Sequence, residues 1–148
     1  MKLIISDGEA FPSQDDRRHQ LKWIHQYRYK KFDFAATYIY SSGRPYTDWE
    51  KIENQTPRDQ LRADDRISIL PNYQRVDVSA GYNFDWGISK ARIGVSIFNL
   101  LDRENVKYRQ YIHSVPNQRE DKRSFNQVTG TEVLMLDFTP NLSFSINF

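Results

Sequence analysis

Taken two residues at a time, residues 137–148 separate into two faces. Phe138, Leu142, Phe144, Ile146 and Phe148 share one parity, interrupted only by Pro140, and Asp137, Thr139, Asn141, Ser143, Ser145 and Asn147 share the other. Period-two alternation predicts a β-strand whose faces meet different media, one apolar and one wet. Residues 73–84 repeat the pattern: Val76, Val78, Ala80, Tyr82 and Phe84 stand against Arg75, Asp77, Ser79, Gly81 and Asn83. In residues 90–101, Ala91, Ile93, Val95 and Ile97 stand against Arg92, Gly94 and Ser96, and a slip at Phe98-Asn99 predicts a bulge. In residues 32–42, Phe32, Phe34, Ala36, Tyr38 and Tyr40 stand against Asp33, Ala35, Thr37, Ile39 and Ser41. The weakest strand is residues 19–29, where Leu21, Trp23, Tyr27 and Tyr29 alternate with Lys22, Gln26 and Arg28, and Ile24 and His25 fall out of phase. Aromatics at every second position favour strand over helix there.

The connections alternate in length. Lys30-Lys31 predicts a tight turn and residues 85–89 a short one, whereas residues 43–72 and 102–132 are long, polar and mixed in charge. Loops of that length count against a compact soluble domain. Val106 to Ile112 reads as an extension of the preceding strand, and the last strand is expected to start near Val133. Residues 1–18, with Gly8, Pro12 and the cluster Asp15-Asp16-Arg17-Arg18, read as a loop-like N-terminal segment. The predicted fold is therefore all-β, an antiparallel meander of about five long strands over residues 19–148.

Composition narrows the setting. A net charge of +2 gives no field strong enough to point to nucleic acid. The hydrophobic share is low at 39% while the aromatic share is high at 14%, with nine Tyr, nine Phe and three Trp. That mixture suits a transmembrane β-barrel, where only every second strand residue need be apolar and aromatics gather at the interfaces. Strands of about ten tilted residues span a bilayer. No run of 18 apolar residues predicts a membrane helix, and residues 1–9 lack the apolar stretch of a secretory signal. With no Cys there is no disulfide or thiol chemistry.

Four stretches in this order carry a family resemblance. Ser42-Gly43-Arg44-Pro45-Tyr46-Thr47 closes an aromatic strand, and Tyr73-Gln74-Arg75-Val76-Asp77-Val78 opens the next. Phe98-Asn99-Leu100-Leu101-Asp102-Arg103 ends the one after, and Thr139-Pro140-Asn141-Leu142-Ser143-Phe144-Ser145-Ile146-Asn147-Phe148 forms the last. Together they resemble the C-terminal barrel strands of TonB-dependent outer-membrane receptors in the style of Bacteroidetes. The resemblance implies a partial segment of a transmembrane barrel of about 22 strands with a plug inside it. It implies uptake of a large scarce nutrient such as an iron chelate, cobalamin or a glycan, energised through the TonB system by way of the whole parent protein. It implies as partners the outer-membrane lipid, the barrel-assembly machinery, and the rest of the barrel and plug. Phe144, Ile146 and Phe148 are expected to be the assembly signal. Five strands without plug or TonB-contacting segment are expected to be a fragment of an outer-membrane parent, not competent in transport alone.

The expected lipid face is Phe34, Ala36, Tyr38, Val76, Val78, Ala80, Ile93, Val95, Leu142, Phe144 and Ile146. Arg75, Asp77 and Arg92 then face the lumen, where charge is tolerated and tunes what passes; mutual pairing or contact with the plug is the plainer role. Tyr27, Tyr29, Phe32, Phe84 and Trp86, near the short turns, read as an aromatic girdle. No enzyme chemistry is expected. His19, His25 and His113 are scattered without metal-ligand spacing, no G-x-S-x-G surrounds Ser41-Ser42, and no cofactor motif occurs. Asp64-Asp65 and the run 119–123 read as solvated loop faces. Two other readings remain: a soluble β-sheet ligand-binding domain, and an outer-membrane enzyme barrel.

Overall fold

The computed structural model describes residues 3–6, 9–13, 15–54, 66–114 and 127–148. Among the described residues the chain is mostly β, with one short helix, and it divides into two compact units. One unit contains the five-stranded sheet. It is assembled from His19–Ser42, Asn72–Asn105 and Met135–Phe148. Its strands are β3 (Gln20–Tyr29), β4 (Phe32–Ser41), β7 (Tyr73–Trp86), β8 (Ser89–Phe98) and β11 (Thr139–Asn147). They run in the order β11-β8-β7-β4-β3, all pairs antiparallel, so the sheet is a meander in chain order.

Register explains why the alternation was so legible. Tyr27, Phe34, Ala80, Val95 and Leu142 lie in one cross-strand row, and Tyr29, Phe32, Tyr82, Ile93 and Phe144 in another. On the other face Arg28, Asp33, Gly81, Gly94 and Ser143 share a row. A slip of one residue in any strand would put its apolar side chains among these polar ones, so every pairing reinforces the next. Two short reversals join β3 to β4 and β7 to β8. Each leaves two residues between paired positions, Lys30-Lys31 and Gly87-Ile88. The first residue of each has positive φ, 52° at Lys30 and 62° at Gly87, as tight hairpins between twisted strands require. Pro140, which cannot donate to a ladder, sits in the edge strand β11 where this is harmless.

Strand β7 continues to Trp86, two residues past its expected end, because Asp85 and Trp86 pair with Lys90 and Ser89. The expected bulge at Phe98-Asn99 is instead the end of β8. Asn99 takes φ 53° and turns the chain, and Asp102 takes φ 49° four residues into the same reversal region.

The other unit is assembled from Met1–Arg18, Gly43–Pro71 and Val106–Leu134, the stretches expected to be loops. Here β5 (Pro45–Thr47) pairs with β6 (Ile67–Ile69), and α1 (Trp49–Asn54) lies between them in sequence. β9 (Val106–Ser114) pairs with β10 (Gln127–Leu134) as a separate hairpin. Val106 to Ile112 thus do not prolong the sheet, and Val133 belongs to β10 and not to the last strand. In the N-terminal segment β1 (Leu3–Ser6) pairs with β2 (Glu9–Pro12), correcting the loop reading of residues 1–18. The β-branched run at Ile4-Ile5 and the Asp-Gly dipeptide after it are the hairpin signal that reading missed.

Among the described residues only Leu70, Ala91 and Val128 are buried apolar side chains. Of these, Ala91 alone belongs to the sheet. The five strands therefore carry two open faces and no hydrophobic core of their own.

Candidate functional site

On the sheet's apolar face, aromatic rings collect toward the short reversals and, at the other end, on β3 and β4 alone, while the middle of β7, β8 and β11 is aliphatic. Toward the short reversals, Phe32 lies 4.7 Å from Tyr82, Tyr82 5.8 Å from Phe84, Phe84 6.1 Å from Trp86 and Trp86 5.8 Å from Phe144, measured between ring centroids. Toward the other end Trp23 pairs across the strands with Tyr38 and Leu21 with Tyr40. His25, out of phase in the sequence, stacks on Trp23 at 5.6 Å. Ala36, Val78, Ala80, Val95 and Leu142 occupy the middle. Leu142 is 77% exposed and Val95 48%, so the centre of this face is bare.

Of the residues expected at the assembly signal, Phe144 and Ile146 lie on this apolar face of β11, and Phe148 follows the end of the strand fully exposed. Arg75, Asp77 and Arg92, expected on one face, fall into two groups. Arg75 and Asp77 sit on the polar face near the start of β7, paired at 2.9 Å. The Arg75 guanidinium also lies over the Phe98 ring at 4.1 Å, a cation–π contact. Asp77 does more than pair with it: its Oδ1 accepts the backbone N–H of Asn99 at 3.0 Å. Arg92 belongs to a second group toward the short reversals, forming a two-pronged ion pair with Asp33. Asn83 donates to Asp33 at 3.0 Å. The pair lies across Gly81, where a Cβ would press into both partners, so glycine is what lets the bridge form.

Asp33, Asn83 and two buried asparagines were not anticipated. Asn99 is fully buried; its side-chain amide donates to the carbonyls of Arg103 (3.0 Å) and Leu136 (3.2 Å), and its oxygen accepts from Arg103 N–H (3.3 Å). Asn105 accepts from Gln74 N–H at 3.0 Å and donates to the Gln74 carbonyl at 2.9 Å. These amides satisfy backbone groups that the sharp reversal after β8 takes out of the ladder. The sequence signal was an Asn directly after a strand, the residue type that best tolerates the left-handed region after glycine.

The other unit has its own polar cluster. Asp48 is buried, caps α1 at Lys51 N–H (3.4 Å), and accepts from the Ser68 hydroxyl (2.9 Å). Tyr111 donates to Asp48 over a long 3.5 Å. Burial, then the neighbouring Asp48 charge, pushes the Tyr111 hydroxyl up to about 12. Glu50 accepts from Gly130 N–H at 2.6 Å. Arg109 donates to the Tyr46 hydroxyl at 3.1 Å and stands 3.7 Å from Glu50 and 3.5 Å from Glu132. The two long connections are thereby knit into one body by contacts between residues some 60 to 80 positions apart.

Among the described residues no group of three or more His, Cys, Asp or Glu is placed to hold a metal ion. Asp64, Asp65 and the 119–123 run lie outside the described residues, as does the side chain of His113. No described helix is long and apolar enough to cross a membrane, which leaves crossing by strands untouched. Comparisons with protein families, with known proteins and with solved structures find no match.

Proposed function

We propose that the five-stranded sheet is a transmembrane segment of an outer-membrane β-barrel, belonging to a TonB-dependent receptor for a large scarce nutrient. The observation that carries this reading is the open apolar face, aliphatic in the middle of β7, β8 and β11, with aromatics toward the short reversals and on β3 and β4 at the other end. A face of that kind in water is costly, since each exposed large apolar side chain forgoes about 1.5–3 kcal/mol of burial. In a bilayer it is the expected lipid-facing band with its interfacial aromatics. Strands of 9 to 14 residues are long enough to cross when tilted. The opposite face, carrying Arg75, Asp77, Asp33 and Arg92, suits a wet lumen, and the pairing of these charges supports the plainer of their expected roles. They brace the wall, because each has a partner in its own sheet. The four motif stretches support the specific family; the reversal built by Asn99 and the strand start at Tyr73 are the parts with a clear structural use.

The test is reconstitution into phospholipid vesicles followed by alkaline carbonate extraction. The receptor reading predicts that the chain stays with the vesicles and that protease added outside leaves residues of β7 and β8 uncut. Quantitative release by carbonate would refute it.

A further inference from the structure

The polar face of the sheet carries a recess of about 370 Å³ at the end where the short reversals lie. Register builds it. Asp85, Lys90 and Asn147 form one cross-strand row on that face, and Asn83, Arg92 and Ser145 form the next. The Lys30-Lys31 reversal closes onto these rows, because the Lys31 carbonyl accepts from the backbone N–H of Asn83 at 2.8 Å and from its side-chain amide at 3.2 Å. Four cationic side chains, Lys30, Lys31, Lys90 and Arg92, thus line one recess, and among the described residues Asp85 is the one carboxylate in its lining.

The charges do not balance within it. Arg92 is matched by Asp33. Asp85 accepts from the Lys31 ammonium at 3.2 Å and stands opposite Lys90 in the register, so one carboxylate serves two lysines. Lys30 lies over the Tyr29 ring at 5.2 Å. Among the described residues neither Lys30 nor Lys90 has a carboxylate partner. Lys30, Lys31 and Lys90 against Asp85 alone leave a surplus of two positive side chains. Like charges gathered this closely repel, and an anion placed between them removes the repulsion.

The chemistry of the donors decides which anion fits. Lysine ammoniums are point charges with rotatable donors, without the planar fork that matches a carboxylate. Ser145 and Asn147 add a hydroxyl and an amide from β11. Donors therefore approach from the reversal, from β8 and from β11, as the oxygens of a tetrahedral group need. A phosphate monoester carries a charge close to −2 and three acceptor oxygens, which matches the surplus. With about 30 Å³ taken by a single water, the recess also has room for part of the ester's organic group. We infer that the recess formed by the Lys30-Lys31 reversal, β8 and β11 binds a phosphate monoester dianion. This goes beyond the receptor reading and does not rest on it, because the recess belongs to the polar face whatever medium meets the other.

The full chain, folded in neutral detergent micelles in phosphate-free buffer, would be titrated by calorimetry with glycerol phosphate, with glycerol as the uncharged control. The inference expects glycerol phosphate to bind and glycerol not to. Lys90→Gln should weaken binding about fivefold, the effect of one charge at contact distance in water. Lys90→Arg, which keeps the charge and guards against loss of fold, should bind nearly as the parent does. Asp85→Asn should tighten binding by a similar factor, a gain that a merely structural role would not produce. Lys22→Gln, on β3 toward the other end of the sheet, should change nothing. A second arm, with short-chain phosphatidic acid added to the micelles, identifies the source of the phosphate. Tighter binding of phosphatidic acid, weakened in Lys90→Gln, assigns a lipid headgroup, and equal or tighter binding of glycerol phosphate assigns a soluble ester. Failure of both ligands, binding that survives Lys90→Gln unchanged, or weaker binding after Asp85→Asn would overturn the inference.

Discussion

Replacing Val78 by Arg is the sharpest perturbation of the sheet, because its neighbour Ser79 supplies the control. Val78 lies near the middle of β7, in the row with Ala36 and Ile97 on the apolar face. Ser79 is exposed on the opposite face, in the row with Ala35 and Ser96. A guanidinium at the lipid midplane costs about 2–4 kcal/mol, and the same group in a wet lumen costs little, within about 0.5 kcal/mol for a surface change. Ser79→Arg is a better control than Asp77→Arg. Asp77 holds both Arg75 and the Asn99 amide, so its replacement would disturb more than the face. The assay is a denaturant titration of the chain refolded into thin bilayers, followed by tryptophan emission. Val78→Arg should fall by the larger amount and Ser79→Arg by the smaller. Equal losses, or a larger loss at Ser79, would refute the assignment of faces.

Asp77→Ala should cost about 1–3 kcal/mol in the same titration, since it leaves the Asn99 N–H without its acceptor and Arg75 without its partner. Asn99→Ala should be worse than Asn99→Gly by about 1–2 kcal/mol, because both lose the amide bonds but only glycine accepts φ 53° freely. Tyr111 should ionise late, near 12, and Tyr111→Phe should remove that step from the absorbance titration at alkaline pH. The native state keeps this proton where the unfolded chain has lost it. The resulting stability is thus complete below the ordinary tyrosine range and declines as pH rises from about 10 to 12. If the protein is an outer-membrane barrel and the exposed ring beyond β11 is part of its assembly signal, removing Phe148 should lower its surface level, read by surface labelling of intact cells.

How far the sequence alone carries the fold differs between the two units, for a physical reason. Residues 73–84 and 137–148 show their faces because successive side chains of a strand point to opposite sides of the sheet, and the apolar and polar residues sort by that period of two. The tight reversals were legible at Lys30-Lys31 and near Gly87 because short connections leave little choice. β5, β6, β9 and β10 were not legible as a unit. They are held by contacts such as Glu50 with Gly130 and Arg109 with Tyr46, each between distant positions, and no local pattern encodes such a pairing. Arg75, Asp77 and Arg92 share the parity opposite the apolar face, which the alternation shows, but their grouping was not legible. Grouping depends on which cross-strand neighbour arrives, and Asp33 beside Arg92 follows from register. Asn99 and Asn105 were passed over because buried amides look, in a sequence, like any other polar loop residue.

The central claim is that one face of the five-stranded sheet meets lipid and the other meets water. The chain has no Cys, so single cysteines can be placed one at a time from Val76 to Asn83 without interference. Each variant, reconstituted in vesicles, would be labelled with an environment-sensitive dye and exposed in turn to a lipid-borne and a water-soluble quencher. The account predicts strict alternation: positions 76, 78, 80 and 82 quenched from the lipid, and 77, 79, 81 and 83 from the water. Quenching from water at every position, or no period of two at all, would contradict it.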